Sequence, residues 1–302
     1  MPQVSRVGLE IIDLKARHNY SAGTLPADLS QIRLRREAAL GEASFLPKSE
    51  EEAIPAIFAS WNVLDALMWT LSRLPTNDTS ARRDGTVGRA HMWQTGYVRE
   101  LQVRRMVQLV REPGVRRYCE VGMNGGHSAM AMLLANPQVK ADVFDVMKLK
   151  YSQPVADLLS TSFGDRFAVH KGYSQNTLPS FISELTGNGS HCDLILVDGS
   201  HLLAGAASDL QMLRRAASPS SRLVVDDINM VPGTALLKEV NAGRVEVLEQ
   251  YGPFDKMTRR SPCMRAPRGH PGRKSAFMCP KWGYAVGRYR LGKRRGGGVV
   301  VN

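Results

Sequence analysis

The chain has 302 residues, is 43% hydrophobic and carries a formal net charge of +12. That is enough apolar material for one large domain or two small ones, and it excludes a low-hydrophobicity disordered chain. No apolar run approaches the ~20 residues needed to span a bilayer and no signal-peptide core is visible, so a cytoplasmic protein without membrane partners is expected.

The charge is unevenly placed. Residues 255–302 hold 13 Lys/Arg and one acid, Asp255, so the 40 basic and 28 acidic residues of the chain leave 27 of each in 1–254. The body is neutral and one segment carries the excess. The cysteines, Cys119, Cys192, Cys263 and Cys279, form no CxxC. Cys119 and Cys192 fall in apparent core strands, which points to reduced thiols in an intracellular compartment.

Residues 1–48 show weak periodicity and read as a loosely packed arm. Glu50 to Leu74 predicts a helix, because Ile54, Ile57, Phe58, Trp61, Leu64, Leu67, Met68 and Leu71 recur at three and four. Pro75 stops it, and 76–90 is a polar loop. His91 to Arg111 predicts a second helix with Val103, Met106, Val107 and Val110 inward. Pro113-Gly114 ends it before an apolar lead-in, Val115 to Val121, that reads as a buried strand.

From there strands and helices alternate. Strands are expected at Asp142–Asp145, Phe167–His170, Cys192–Val197 and Arg222–Val225, with a last pair at Val245–Gln250 and Trp282–Tyr289. Helices are expected at Pro154–Phe163, Leu202–Ala216 and Thr234–Val240, and Ser180–Leu185 is expected to be part of another. The spacing is that of βαβ units in a doubly wound, mostly parallel α/β sheet, here with an N-terminal helical extension. The expected organisation is an arm and helix over 1–90, a main domain over 91–290 with a basic insertion at 255–280, and a disordered tail at 291–302.

The first strand ends in Glu120-Val121-Gly122-Met123-Asn124-Gly125-Gly126-His127-Ser128, and Ala129 to Leu134 reads as a helix. Strand, glycine turn and helix open a dinucleotide- or nucleoside-binding unit. No Lys-Ser/Thr pair follows, so a P-loop is excluded, and Asn124 breaks the GxGxxG of a pyrophosphate binder. An acid with Gly122 and Gly126 suits a ligand that has a cationic amino-acid end and no phosphates, such as S-adenosylmethionine (SAM). An ordinary tight βα turn would show the same glycines. Asp145 ends the second strand 19 residues after Gly126, where an acid can accept both ribose hydroxyls.

Asp198-Gly199-Ser200-His201 follows the fourth strand and Asp226-Asp227 the fifth. In a sheet ordered 3-2-1-4-5 these strands are neighbours, so three carboxylates meet at one edge. Like charges that close need a cation, and Mg²⁺ is the economical one. It could hold a substrate hydroxyl and lower its pKa, while His201 removes the proton. Alternatively, Asp226 caps a turn and His201 simply opens the next helix.

Glu120 to Ser128, Asp193 to His201, Asp209-Leu210 and Val224 to Asp227 together resemble a class I SAM-dependent methyltransferase. The similarity is to the small-molecule O-methyltransferase-like group that includes macrolide sugar O-methyltransferases, and it covers about 91–290. The resemblance implies a seven-stranded sheet ordered 3-2-1-4-5-7-6 with the seventh strand antiparallel. It implies a cofactor site drawing on Glu120, Gly122, Asn124, Gly126, His127, Ser128, Asp145, Ser174 and Asp198. It also implies Mg²⁺ on Asp198, Asp226 and Asp227, with His201 as base beside Asp198. Tyr173 stands where many relatives have Asp, which leaves Ser174 to approach the adenine.

The expected partner is a small-molecule acceptor. The segment from Lys256 to Lys281, by its charge, would favour an anionic one. Two other readings stand beside this one: a nucleic-acid methyltransferase using the basic segment, and a non-catalytic binding protein of the same fold. Homo-oligomerisation is left open.

Overall fold

The computed structural model describes residues 49, 52–58, 60, 61, 64, 68, 98, 100–149, 151–252 and 283–291. The expected arm at 1–48, the basic insertion at 255–280 and the tail after 291 lie outside these residues. The chain divides into two compact units. Among the described residues, a sheet unit draws on Glu112–Met123, Val139–Val146 and those from Ala168 onward, and a helical unit on those up to Arg111, Asn124–Gln138 and those of Met147–Phe167.

The elements in chain order are α1 (Glu100–Val110), β1 (Arg117–Val121), α2 (His127–Ala135), β2 (Lys140–Asp145), α3 (Ser152–Phe163), β3 (Phe167–Lys171), α4 (Ser174–Gly187), β4 (Cys192–Val197), α5 (Leu203–Ala216), β5 (Ala217–Val225), α6 (Val231–Asn241), β6 (Val245–Tyr251) and β7 (Tyr284–Tyr289). The seven strands form one sheet ordered β3-β2-β1-β4-β5-β7-β6. β1 runs parallel to β2 and β4, β4 parallel to β5, and β7 antiparallel to both β5 and β6. This is the expected order and the expected antiparallel seventh strand.

Alternation along the strands sends Cys119 and Val121, Ile195 and Val197, and Leu223 and Val225 into one apolar layer. There they pack with Leu178 and Ile182 of α4, Leu210 and Leu213 of α5 and Leu236 of α6. In the helical unit, Ile54, Ile57, Trp61, Leu64 and Met68 are buried, as are Val103, Met106, Val107 and Val110 of α1. Those are the predicted inward faces, except that Phe58 is only half-buried; Leu67 and Leu71 lie outside the described residues. Asn136 ties α2 to α1 by donating to the Val110 carbonyl at 2.7 Å, and Arg166 donates to the Leu133 and Asn136 carbonyls at the end of α2.

Three features differ from the sequence reading. Helix α4, of which Ser180–Leu185 is the part legible in the sequence, starts at Ser174, its start hidden by a polar first turn and by Pro179 inside the helix. Strand β5 starts at Ala217 rather than Arg222. Its serines look like a loop, but Ser221 donates to the Cys192 carbonyl at 2.5 Å and so satisfies its hydroxyl within the sheet. Cys119 and Cys192, read as reduced, are joined by a disulfide with Cα atoms 5.8 Å apart. Their separation of 73 residues gives no hint of pairing until β1 and β4 lie side by side.

Candidate active site

The register places the site. Val121 lies opposite Val197, and Val197 opposite Val225. The chain therefore leaves three adjacent strands at one level, with Gly122, Asp198 and Asp226 as the first residues out. The ladder continues through them: Gly122 donates to the Phe144 carbonyl, Asp198 to the Val121 carbonyl and Asp226 to the Val197 carbonyl, at 2.8, 2.9 and 3.1 Å. The carboxyl edge of parallel strands is where open α/β sheets bind their ligands.

At this edge Asp198, His201 and Asp227 converge. One ligand atom from each lies within 4.8 Å of the others, and His201 Nε2 is 3.6 Å from Asp227 Oδ2. The turn after β5 produces this. Asp227 adopts a left-handed conformation, φ 50°, and donates its backbone N–H to its neighbour's Oδ1, at 2.8 Å. Asp226 is thus buried with one oxygen engaged by the chain, while Asp227 reaches Asp198 and His201. Burial, then the charges of Asp226, Asp227 and Glu120, push the Asp198 carboxyl well above its usual range. Carboxylates clustered around the buried Asp198 are a donor set suited to a hard divalent cation.

The remaining predicted residues divide between the units. In the sheet unit Glu120 is fully buried on β1, and Asp145 ends β2 half-buried, with its carbonyl accepting the Gly172 N–H at 2.9 Å. Gly122 has φ +100°, and a Cβ there would stand 2.1 Å from the Asp198 carbonyl oxygen. Ser174 opens α4, buried, and donates to Asp209 Oδ1 at 2.5 Å.

In the helical unit Asn124 takes a left-handed conformation, which its short side chain tolerates, and accepts the Tyr151 hydroxyl at 2.6 Å. Gly126, φ +74°, leaves no room for a Cβ, which would meet Leu159 and Val155 of α3 at 2.8 and 2.9 Å. His127 and Ser128 are buried at the start of α2, where Trp61 donates to the His127 carbonyl at 2.8 Å. Sequence reasoning gave no role to Asp209, quoted only within the resemblance. Its complete burial on α5 is the signal that only the fold supplies.

Residues 119–228 match the profile of a family described as a methyltransferase domain. The match covers just over a third of the chain, from β1 to the turn after β5, the part that carries the glycine turn and the strand-end acids. No curated protein sequence matches the chain.

Among solved structures, an O-methyltransferase of tomaymycin synthesis from Streptomyces achromogenes, in complex with SAM, is 16% identical with a TM-score of 0.46, over 64% of this chain and 81% of that one. The O-methyltransferase from Bacillus cereus in complex with SAH (S-adenosylhomocysteine) is 13% identical with a TM-score of 0.47, over 84% and 96%. An SAH-bound methyltransferase from Podospora anserina is 16% identical with a TM-score of 0.44, over 89% and 100%. At such identities and scores the likeness says nothing of substrate or metal.

Proposed function

We propose that the chain transfers a methyl group from SAM to a hydroxyl of a small-molecule acceptor, with Mg²⁺ at the strand-end acids. The observation that carries this reading is the convergence of Asp198, His201 and Asp227 at the carboxyl edge of β4 and β5. Oxygen donors beside an imidazole suit deprotonation of a hydroxyl, and an Asp-Gly-Ser-His segment stands where amino-group methyltransferases would carry a proline- and aromatic-rich signature.

Bound there, SAM would supply an electrophilic methyl that leaves SAH behind, and Mg²⁺ would lower the pKa of the acceptor hydroxyl. Glu120, Gly122 and Asp145 of the sheet unit would hold the cofactor's amino-acid end and ribose. Asn124, Gly126, His127 and Ser128 follow Glu120 and Gly122 in sequence, and Ser174 would stand at the adenine side. Asp198 and Asp227 would hold the metal, with Asp226 completing the acidic set. His201 would accept the hydroxyl proton at Nε2, and Asp227 would favour the resulting imidazolium.

Val146, Tyr173, Leu202 and Leu203 remain exposed on the segments leaving β2, β3 and β4. An apolar rim with few converging polar groups suits a small organic acceptor. The basic residues of 255–280, outside the described residues, would favour an anionic one.

The test is SAH formation from SAM in a metabolite extract. Excess chelator should abolish turnover and Mg²⁺ should restore it. His201→Gln should remove turnover while metal affinity stays, and Asp227→Asn should lose both. Full turnover in excess chelator would contradict the metal assignment.

A further inference from the structure

Asp209 is a charged side chain with no access to solvent and no part in the proposed chemistry. It sits on α5, and its surroundings come from two different loops. Ser174, the first residue of α4 after β3, donates its hydroxyl to Oδ1 at 2.5 Å. Its Oδ2 is buried with no hydrogen-bond partner, and burial pushes its pKa up against the Ser174 bond and the nearby Ser200 amide of the loop after β4. The same loop is close-packed beneath it: a Cβ on Gly199 would lie 3.4 Å from Asp209 Oδ2 and 2.6 Å from Val121 Cγ1. On the other side of Ser200, its own hydroxyl accepts the Leu202 N–H at 3.2 Å. A Cβ on Gly205 would come within 2.2 Å of that hydroxyl and 3.8 Å of Gln175 Nε2. Gly199 and Ser200 thus have little freedom, and they are the two residues between Asp198 and His201.

We infer that Asp209 is a positioning residue. By holding the Ser174 hydroxyl on Oδ1 and packing Oδ2 against Gly199, it fixes the spacing of Asp198 and His201 and ties that loop to the one following β3. Burying a carboxylate with one oxygen unpartnered is costly, and the bond it does make comes from the residue that follows the β3 loop. A purely structural site would be served as well by an apolar side chain. The inference rests on the proposed function for its consequence: displacement at either loop is transmitted to the other, so cofactor-side and metal-side contacts change together.

Hydrogen exchange read by mass spectrometry on the full chain tests the link without needing the acceptor. In Asp209→Asn, which offers one acceptor oxygen in place of two, peptides covering 172–176 and 199–203 should exchange about tenfold faster or more, while those of β4 and β5 stay protected. Ser174→Ala should loosen the same two peptides, and Ser174→Thr, which keeps the hydroxyl, should restore them. With SAH and Mn²⁺ as probes, Asp209→Asn should weaken both affinities about tenfold. Unchanged exchange at 199–203 in both variants, or a rise spread evenly through β4 and β5, would overturn the inference. If the native chain binds neither probe yet the two loops loosen together, the link stands and the methyl-transfer reading falls. If it binds both and the variants do too, with unchanged exchange, the link falls and the reading stands.

Discussion

Gly122 sits where two strands part. Its φ of +100° and the Asp198 carbonyl 2.1 Å from any Cβ leave no room for a side chain. The neighbour is backbone, so no rotamer change relieves the clash. Gly122→Ala should therefore cost well over the ~1–3 kcal/mol of a strained backbone position and should displace Asp198. Gly114 is the control: its φ is +88° but nothing lies within 4 Å, so Gly114→Ala should show only the strain. Urea titration of the two variants compares them, and equal losses would contradict the packing. The glycines of the turn were visible in the sequence as a ligand-binding signature. The structure shows that Gly122 and Gly126 are also required by the chain's own packing, so a glycine turn alone says less about a ligand than the acids beside it.

Glu239 gives the molecule a pH-dependent contribution. It is buried, accepts from Arg244 at 2.6 and 2.8 Å and from Gln211 at 3.2 Å. The Arg244 hydrogen bonds hold its pKa below the ordinary 4.5, against the effect of burial. A folded-state value below the unfolded one means stability that is present above about pH 4.5 and lost as pH falls through the lowered value. Glu239→Gln should destabilise the protein at pH 7 and flatten the acid side of its stability curve. An unchanged acid limb would show that Glu239 is not the group responsible.

At the scale of elements, periodicity located what is buried on both sides or on one clear face. The near-continuous apolar run of β4 and the three-and-four spacing of α1 are examples. It failed where polar residues find partners inside an element: Ser221 on the Cys192 carbonyl in β5, and the first turn of α4, where Ser174 bonds Asp209. The disulfide between Cys119 and Cys192 is likewise a product of strand adjacency. It closes a long loop, so replacing both cysteines by Ala should lower stability by about 2–4 kcal/mol. Peptide mapping without reductant should recover the two peptides linked, and recovering them separately would contradict the cross-link.

At the scale of the whole chain, the strand order was legible only through the family resemblance; given that order, Asp198, Asp226 and Asp227 fall at one edge because the ends of neighbouring parallel strands lie together. What the sequence alone left open was which acid faces the site. The left-handed turn at Asp227 answers that, engaging Asp226 with the backbone and presenting Asp227 to His201. Among the described residues no helix is long and apolar enough to cross a membrane, and the net charge of +12 resides in 255–302; under the proposed function, salt should therefore affect acceptor binding more than cofactor binding.

The most direct measurement is calorimetric titration of the native chain with SAH, alongside Asp145→Ala and Glu120→Ala. The account predicts one site per chain. Each substitution removes a charged acceptor, and at about 1.5–3 kcal/mol per such bond affinity should fall by roughly ten- to a hundredfold. Absence of binding by the native protein, with SAM as well as SAH, would contradict it.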